Sequence, residues 1–285
     1  MSRIAYVNGR YLPHAQAQVH IEDRGFQLAD GVYEVCEVRH GALIDETRHL
    51  DRLGRSLSEL RIPWPMARAA LQVVLREVVA RNRVSGGLVY FQITRGAAPR
   101  EFYFPGPDVR PSLVVTARSF NPAAIEKNAA QGVAVKTHPD QRWARRDIKS
   151  ISLLPNVLAK QAAREAGAFE AWLIDAEGFV TEGASSNAWI VTKDGRLVTR
   201  NADNNILRGV TRTSLIDLLA RSNLELEERP FTIAEALSAQ EAFLSSATTI
   251  AMPVVSIDGA KVGGGKPGPV VARLRAEFHT IAETS

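Results

Sequence analysis

Within the first 120 residues the spacing of apolar side chains switches repeatedly between two periods, which limits the chain to a fold where strands and helices share a core. Ile4 to Val7 and Tyr11-Leu12 flank Asn8-Gly9, a pair suited to the two positive φ angles of a tight hairpin turn. From Val32 to Val38 the period is two: Val32, Glu34, Cys36 and Val38 point one way, Tyr33, Val35 and Glu37 the other. This strand carries polar groups on both faces. Leu50, Leu53, Leu57 and Leu60 then keep helical spacing up to Pro63, and Arg52 lies off that stripe. A second helix, opened by Pro65, carries Leu71, Val74, Leu75, Val78 and Val79 and is closed by Gly86-Gly87. Leu88 to Thr94 and Ser112 to Arg118 return to strand spacing. The loop between them, Arg95 to Pro105, is aromatic with arginines at both ends.

The segment around Asn121-Pro122 has little strand pattern and reads as a linker, giving a first domain over 1–120, a linker over 121–131 and a second domain over 132–285. In the second domain Val133 to Thr137 is a strand. Pro155 opens a helix through Leu158, Ala162 and Ala166 that stops at Gly167. A strand pair surrounds the turn at Ala176-Glu177-Gly178, and a helix starting near Thr211 buries Leu215, Leu218 and Leu219. Thr232 with Glu235 has the pattern of a capping box. Phe243 to Ser246 is a strand, Asp258-Gly259 a hairpin turn, and Val271, Leu274, Phe278 and Ile281 mark the closing helix.

Composition removes several function classes. One cysteine, Cys36, excludes an internal disulfide framework and a cysteine-rich zinc module, and fits a reducing, cytoplasmic setting. Met1 to Leu12 has no apolar run of the export type, and no stretch of about eighteen apolar residues suits a membrane span. The net charge of +4 is spread over 28 Arg and 7 Lys among 31 acids, without the basic block expected of a nucleic-acid binder. The six histidines show no metal-ligand spacing, so no metal site is expected.

Chemistry gathers at a few places. Lys149 sits between apolar residues in Asp147-Ile148-Lys149-Ser150-Ile151, just after Arg142, Arg145 and Arg146. An ammonium in partly apolar, cation-flanked surroundings loses proton affinity, and a neutral amine attacks carbonyls. The residues alone leave two readings, a Schiff-base lysine or one that snorkels from a strand end to water. Gly209-Val210-Thr211 at a helix start offers free N–H groups and the positive dipole end to a phosphate, although Thr211 suits ordinary N-capping equally. Ser245-Ser246-Ala247-Thr248-Thr249 is a second hydroxyl-rich loop, for a phosphate or for turn chemistry alone. Glu182, ahead of small residues, either faces a planar ligand or sits in a solvated turn.

In this order the pieces resemble the fold-type IV pyridoxal-phosphate (PLP) enzymes, over nearly the whole chain. The carriers are Asp23-Arg24-Gly25-Phe26 with Asp30-Gly31-Val32-Tyr33-Glu34, His49-Leu50-Asp51-Arg52-Leu53, Asp147-Ile148-Lys149-Ser150, Thr181-Glu182-Gly183 with Ser185-Ser186-Asn187, and Leu207-Arg208-Gly209-Val210-Thr211-Arg212. Gln92-Ile93-Thr94-Arg95-Gly96, Pro99-Arg100 and Leu158-Ala159-Lys160-Gln161 are most similar to the D-amino acid aminotransferases of that family.

The resemblance implies an α+β fold of two domains, a small α/β domain and a larger β-barrel-like α/β domain that carries the lysine. It implies pyridoxal 5'-phosphate joined to Lys149 as a Schiff base, with Glu182 on the pyridine nitrogen. Arg52, Gly209, Val210, Thr211, Ser246, Ala247 and Thr248 would hold the phosphate, Leu207 would pack on the ring, and Ser186 and Asn187 would complete the cofactor contacts. Arg142 matches a position near the cofactor, and Tyr33 one beside the lysine. The implied activity is transamination between D-amino acids and a 2-oxo acid by a cytoplasmic homodimer, with Lys149 also the general base. Arg100, supplied by the neighbouring subunit, would bind the substrate carboxylate, but Phe102 stands where those enzymes have a histidine. The same family contains (R)-selective amine transaminases, branched-chain L-amino acid aminotransferases and aminodeoxychorismate lyases, and a non-catalytic PLP-binding protein is the reading from outside enzymes.

Overall fold

The computed structural model describes residues 3–221 and 224–285. The chain divides into two units, one formed by Met1–Pro122, Ile148–Ser152 and Glu283–Ser285, the other by Ala123–Asp147 and Leu153–Ala282.

In the first unit the described residues build a six-stranded antiparallel sheet. Its strands are β1 (Ile4–Val7), β2 (Arg10–Pro13), β3 (Gly31–Arg39), β4 (Ala42–Leu43), β5 (Gly86–Thr94) and β6 (Ser112–Ser119), in the order β2-β1-β6-β5-β3-β4. A short helix α1 (Arg24–Leu28) precedes β3, and helices α2 (Glu46–Glu59) and α3 (Arg68–Arg81) follow β4. The two stripes expected on α2 and α3 are buried: Leu50, Leu53, Leu57, Leu71, Leu75 and Val78 share one core with Val32, Cys36, Val89, Phe91 and Ile93. Truncating one of those leucines to alanine costs about 2 to 5 kcal/mol by transfer and cavity terms together. Asn8 and Gly9 take φ of 45° and 93°, as the hairpin requires. Gly86-Gly87, expected to end a helix, instead begins β5; a Cβ on Gly87 would lie 2.2 Å from the Arg118 carbonyl oxygen of β6, so close strand approach explains that glycine.

In the second unit the described residues build a nine-stranded sheet of β7 (Val133–Pro139), β8 (Glu170–Ile174), β9 (Val180–Gly183), β10 (Asn187–Val191), β11 (Leu197–Thr199), β12 (Leu226–Glu228), β13 (Glu241–Ser246), β14 (Ile250–Ile257) and β15 (Ala260–Lys261). Its order is β12-β11-β10-β13-β14-β7-β8-β9, with β15 on β14. The two ends of this path meet: the Val180 N–H donates to the Phe231 carbonyl at 2.9 Å and Phe179 bridges Thr232, which makes the sheet barrel-like. Helices α4 (Pro122–Gln131), α5 (Leu154–Glu165), α6 (Val210–Leu219), α7 (Ile233–Ser238) and α8 (Pro269–Ile281) accompany it. Thr232 caps α7 by accepting from the Glu235 N–H at 3.2 Å, as its spacing anticipates.

Two expectations need correcting. The stretch 121–131 is a helix rather than a linker: Pro122 opens α4, and Ile125 and Ala129, four apart, pack into the core of the second unit. Domain order along the chain is also interrupted, because Lys149 belongs to the first unit and not to the larger one. The Tyr33 N–H donates to the Lys149 carbonyl at 3.0 Å and the Ile151 N–H to the Gly31 carbonyl at 3.1 Å, so 148–152 runs beside β3. The last three residues return likewise, Leu43 and Ser285 exchanging two backbone hydrogen bonds. The helix expected through Leu158 and Ala162 forms as α5, with Ala166 its C-cap; it buries Ala159 and Ala163, whose small side chains let it lie close on β8, and Leu158 is exposed. Among the described residues no helix is long and apolar enough to cross a membrane.

Candidate active site

Each unit carries its own cluster of the expected residues. In the first, alternation along β3 sends Glu34 toward α2 and Tyr33 to the opposite face. Arg52, one helical position off the leucine stripe, is not solvated as such residues usually are. Its Nε and Nη2 each donate to a different Glu34 oxygen at 2.7 Å, and His49 Nδ1 approaches the same carboxylate at 2.7 Å. Glu34 is fully buried, which pushes its carboxyl up, yet Arg52 and His49 outweigh burial and hold it at about 2. Burial keeps His49 below the usual imidazole range despite Glu34.

On the other face Lys149 Nζ lies 4.2 Å from the Tyr33 ring centroid, and Tyr33 stacks on Tyr90 with centroids 5.6 Å apart. The Lys149 N–H donates to Ser56 Oγ at 3.3 Å, tying the lysine backbone to α2. Lys149 is half-buried. Tyr90 and Gln92, joined by a 2.6 Å hydrogen bond, belong to this face, and neither is among the site residues expected from the sequence. Their signal was present: in 88–94 they alternate with the buried Val89, Phe91 and Ile93. Burial, with Tyr33 beside it, pushes the Tyr90 hydroxyl up to about 12.

The three arginines expected to crowd Lys149 are each paired with a carboxylate, Arg142 with Asp140 and Glu182, Arg145 with Asp147, and Arg146 with Asp140. Arg100 and Phe102 are exposed on the loop after β5, with the guanidinium carbon 5.3 Å from the Phe102 centroid. That loop is anchored on either side of Phe102: Arg24 Nη1 donates to the Glu101 carbonyl at 2.7 Å, and Arg95, bound to Asp30 at 2.7 and 2.9 Å, lies 3.7 Å from the Phe104 centroid.

In the second unit β9 delivers Glu182 into the interior. Arg142 Nη1 pairs with its Oε1, Asn187 Nδ2 donates to Oε2 at 2.9 Å, and the Leu207 N–H reaches both oxygens at 3.2 Å. Arg142 also grips Asp140 through Nε at 2.9 Å and Nη2 at 2.7 Å. Burial pushes the Glu182 carboxyl above its ordinary value, and Arg142, shared with Asp140, does not bring it back. Arg142 is itself raised, Glu182 and Asp140 outweighing burial.

Gly209 is the N-cap of α6, so Thr211 stands at the second helical position rather than capping, and among the described residues no side chain caps this helix. The first-turn N–H groups, Val210 and Thr211 among them, have no intrahelical acceptor by the geometry of a helix start, and Thr211 is buried. A Cβ on Gly209 would come within 2.1 Å of Asn187 Oδ1, so only glycine leaves Asn187 free to hold Glu182 and the Leu207 carbonyl. The Ser186 hydroxyl donates to Glu170 at 3.2 Å, and Leu207 is half-buried. Helix α6 packs on β13, whose end carries Ser246; beyond it Ala247, Thr248 and Thr249 form a turn in which the Ser246 and Thr249 hydroxyls are 2.8 Å apart. Ile250 closes that turn with φ of 55°, a conformation costing a β-branched residue roughly 1 to 3 kcal/mol. Among the described residues no group of three or more His, Cys, Asp or Glu could hold a metal.

A buried carboxylate still short of positive charge and an uncapped helix start with a hydroxyl-rich turn fit the two ends of a phosphorylated pyridine. Comparison with known proteins points the same way. A family model described as amino-transferase class IV matches residues 31–257. A D-alanine aminotransferase from Bacillus licheniformis is 42% identical over 280 residues, covering 98% of this chain and 97% of the relative, and one from Staphylococcus haemolyticus is 38% identical with 98% of each covered. Among solved structures, a branched-chain amino acid aminotransferase from Escherichia coli superposes with a TM-score of 0.90 at 23% identity, covering 99% of this chain and 95% of that one. A second branched-chain amino acid aminotransferase, from T.th. and solved with pyridoxamine 5'-phosphate, gives 0.89 at 26% identity, covering 98% and 93%.

Proposed function

The chain belongs to the class IV amino-transferases, and on that premise we propose that it is a PLP-dependent transaminase of D-amino acids, passing the amino group to a 2-oxo acid such as 2-oxoglutarate. The observation that carries this reading is the match to D-alanine aminotransferases over nearly the full length of both chains.

Bound pyridoxal phosphate supplies the electron sink for charge left at the donor's Cα, and the rest falls to the chain's own residues. Lys149 anchors the cofactor through Nζ and, once freed, takes the Cα proton as general base. Tyr33 borders that amine, its ring 4.2 Å away. Glu182 keeps the ring nitrogen protonated and hence electron-withdrawing, a role supported by its buried, raised carboxyl. Leu207, whose N–H is committed to Glu182, would pack its side chain on the ring, and Asn187 holds the carboxylate in place. Gly209, Val210 and Thr211 offer backbone donors to the phosphate, and Ser246, Ala247, Thr248 and Arg52 complete the set. Ser186 contributes through its backbone, since its hydroxyl is taken by Glu170. Arg100, exposed beside Phe102, binds the substrate carboxylate of a neighbouring copy in a homodimer. The free, buried Cys36 suits a cytoplasmic setting.

A donor panel tests the reading. With 2-oxoglutarate as acceptor, D-alanine should yield pyruvate and D-glutamate while L-leucine, (R)-1-phenylethylamine and aminodeoxychorismate give little product. Conversion of L-leucine alone would overturn the stereochemistry. Preference for the amine would favour the reading that Phe102 selects donors without a carboxylate.

A further inference from the structure

The turn after β13 has a demand its own sequence does not meet. Ser246 faces Ile250 across the β13–β14 ladder, and the Thr249 N–H donates to the Ser246 carbonyl at 3.3 Å. A reversal this tight needs a residue with positive φ at its end, which glycine or asparagine supplies without strain. Here the residue is isoleucine, with φ of 55°. Bulky side chains persist in that region only where the surroundings over-determine the backbone.

What surrounds it is Arg275 of α8. Its Nη1 donates to the Thr249 carbonyl at 2.6 Å and reaches the Ala251 carbonyl at 3.4 Å, one on each side of Ile250. From behind, Glu126 of α4 binds the same guanidinium, to Nη2 at 2.5 Å and Nε at 3.4 Å. Glu126 is largely exposed and Arg275 largely buried, so the pair adds little to global stability. Its effect is directional, because the carboxylate on one edge of the planar group turns the opposite edge to the two carbonyls.

We propose that Arg275 is a positioning residue for the cofactor phosphate. With Glu126 bracing it, Arg275 holds the Ser246 to Ile250 turn in the strained shape that presents Ala247 and Thr248. This rests on the reading above that the turn receives the phosphate. Arg275 does not itself touch the ligand, and α4 is a brace for the turn.

The test is the affinity for PLP, measured by equilibrium dialysis of the holoenzyme. Arg275→Ala should weaken binding about tenfold, equivalent to about 1.4 kcal/mol, Arg275→Lys less, and Glu126→Gln about threefold. Ile250→Gly should leave affinity within about twofold, and in the Ile250→Gly background Arg275→Ala should cost less than about threefold, since a relaxed turn needs no clamp. Unchanged affinity in a folded Arg275→Ala protein overturns the proposal, as does an equal loss in both backgrounds, which would mark Arg275 as merely structural. If Arg275→Ala does not fold, Glu126→Gln decides, and wild-type affinity there overturns it. Failure of the wild-type protein to take up PLP would instead overturn the functional reading itself.

Discussion

Two buried glutamates, each bonded to an arginine, end in opposite electrostatic states. In the first unit Glu34 has both oxygens covered by Arg52 at 2.7 Å and His49 adding a third contact, and its carboxyl falls to about 2. In the second unit Glu182 shares Arg142 with Asp140, its other donors are an amide side chain and one backbone N–H, and its carboxyl rises. Burial penalises both alike, so the difference lies in whether the arginine is shared: Arg52 covers both oxygens of Glu34, whereas Arg142 divides its donors between Glu182 and Asp140. Glu34 is already neutralised by Arg52 and holds that guanidinium in place. Glu182 gains from another positive group, and a protonated pyridine nitrogen is one.

Breaking each pair should therefore give different phenotypes. The largest effect is on stability: Glu34→Gln leaves Arg52 buried without its counter-charge and should cost roughly 3 to 5 kcal/mol in denaturant unfolding. A loss below about 1 kcal/mol would put Glu34 in the same class as Glu182. The pH dependence sharpens the contrast. Since the folded value of Glu34 lies below the unfolded 4.5, its contribution is fully present above 4.5 and is lost as pH falls through about 2. That loss amounts to something on the order of 3 kcal/mol, absent from Glu34→Gln. Glu182 has the reverse sign: its folded value is raised, so its contribution favours folding at low pH and fades as pH rises through that value. Glu182→Gln should change apoenzyme stability by less than about 1 kcal/mol but lower kcat about a hundredfold, as expected when a charge aimed at the reacting system is removed. The smallest effect is Gly209→Ala, whose methyl displaces Asn187 and should cost roughly 1 to 2 kcal/mol, with weakened PLP binding as the accompanying readout.

The legibility of the chain follows the same division. The stripes of α2 and α3 were readable because Leu50, Leu53, Leu57, Leu71 and Leu75 repeat at helical spacing and meet one sheet face. Arg52 was not readable as a buried residue, since its partner Glu34 lies 18 positions away on a strand and one helix's pattern says nothing of what lies opposite. Helix α4 was missed because Asn-Pro signals a turn as readily as a helix start, and its apolar contribution is only Ile125 and Ala129. The arginines before Lys149 misled because nearness in sequence stood in for nearness of charge, while Asp140, Asp147 and Glu182 neutralise them. Lys149, Glu182 and the start of α6 stood out as candidates because ordered motifs carry them, and the strain at Ile250 could be seen only in the backbone angles.

The state of the ring nitrogen tests the central claim most directly. With 15N-labelled pyridoxal phosphate in the holoenzyme, NMR at neutral pH should find the nitrogen protonated in wild type and in Glu34→Gln, which leaves Arg142 and Glu182 intact, and unprotonated in Glu182→Gln. An unprotonated nitrogen in the wild-type holoenzyme, or one unchanged by Glu182→Gln, would contradict the account.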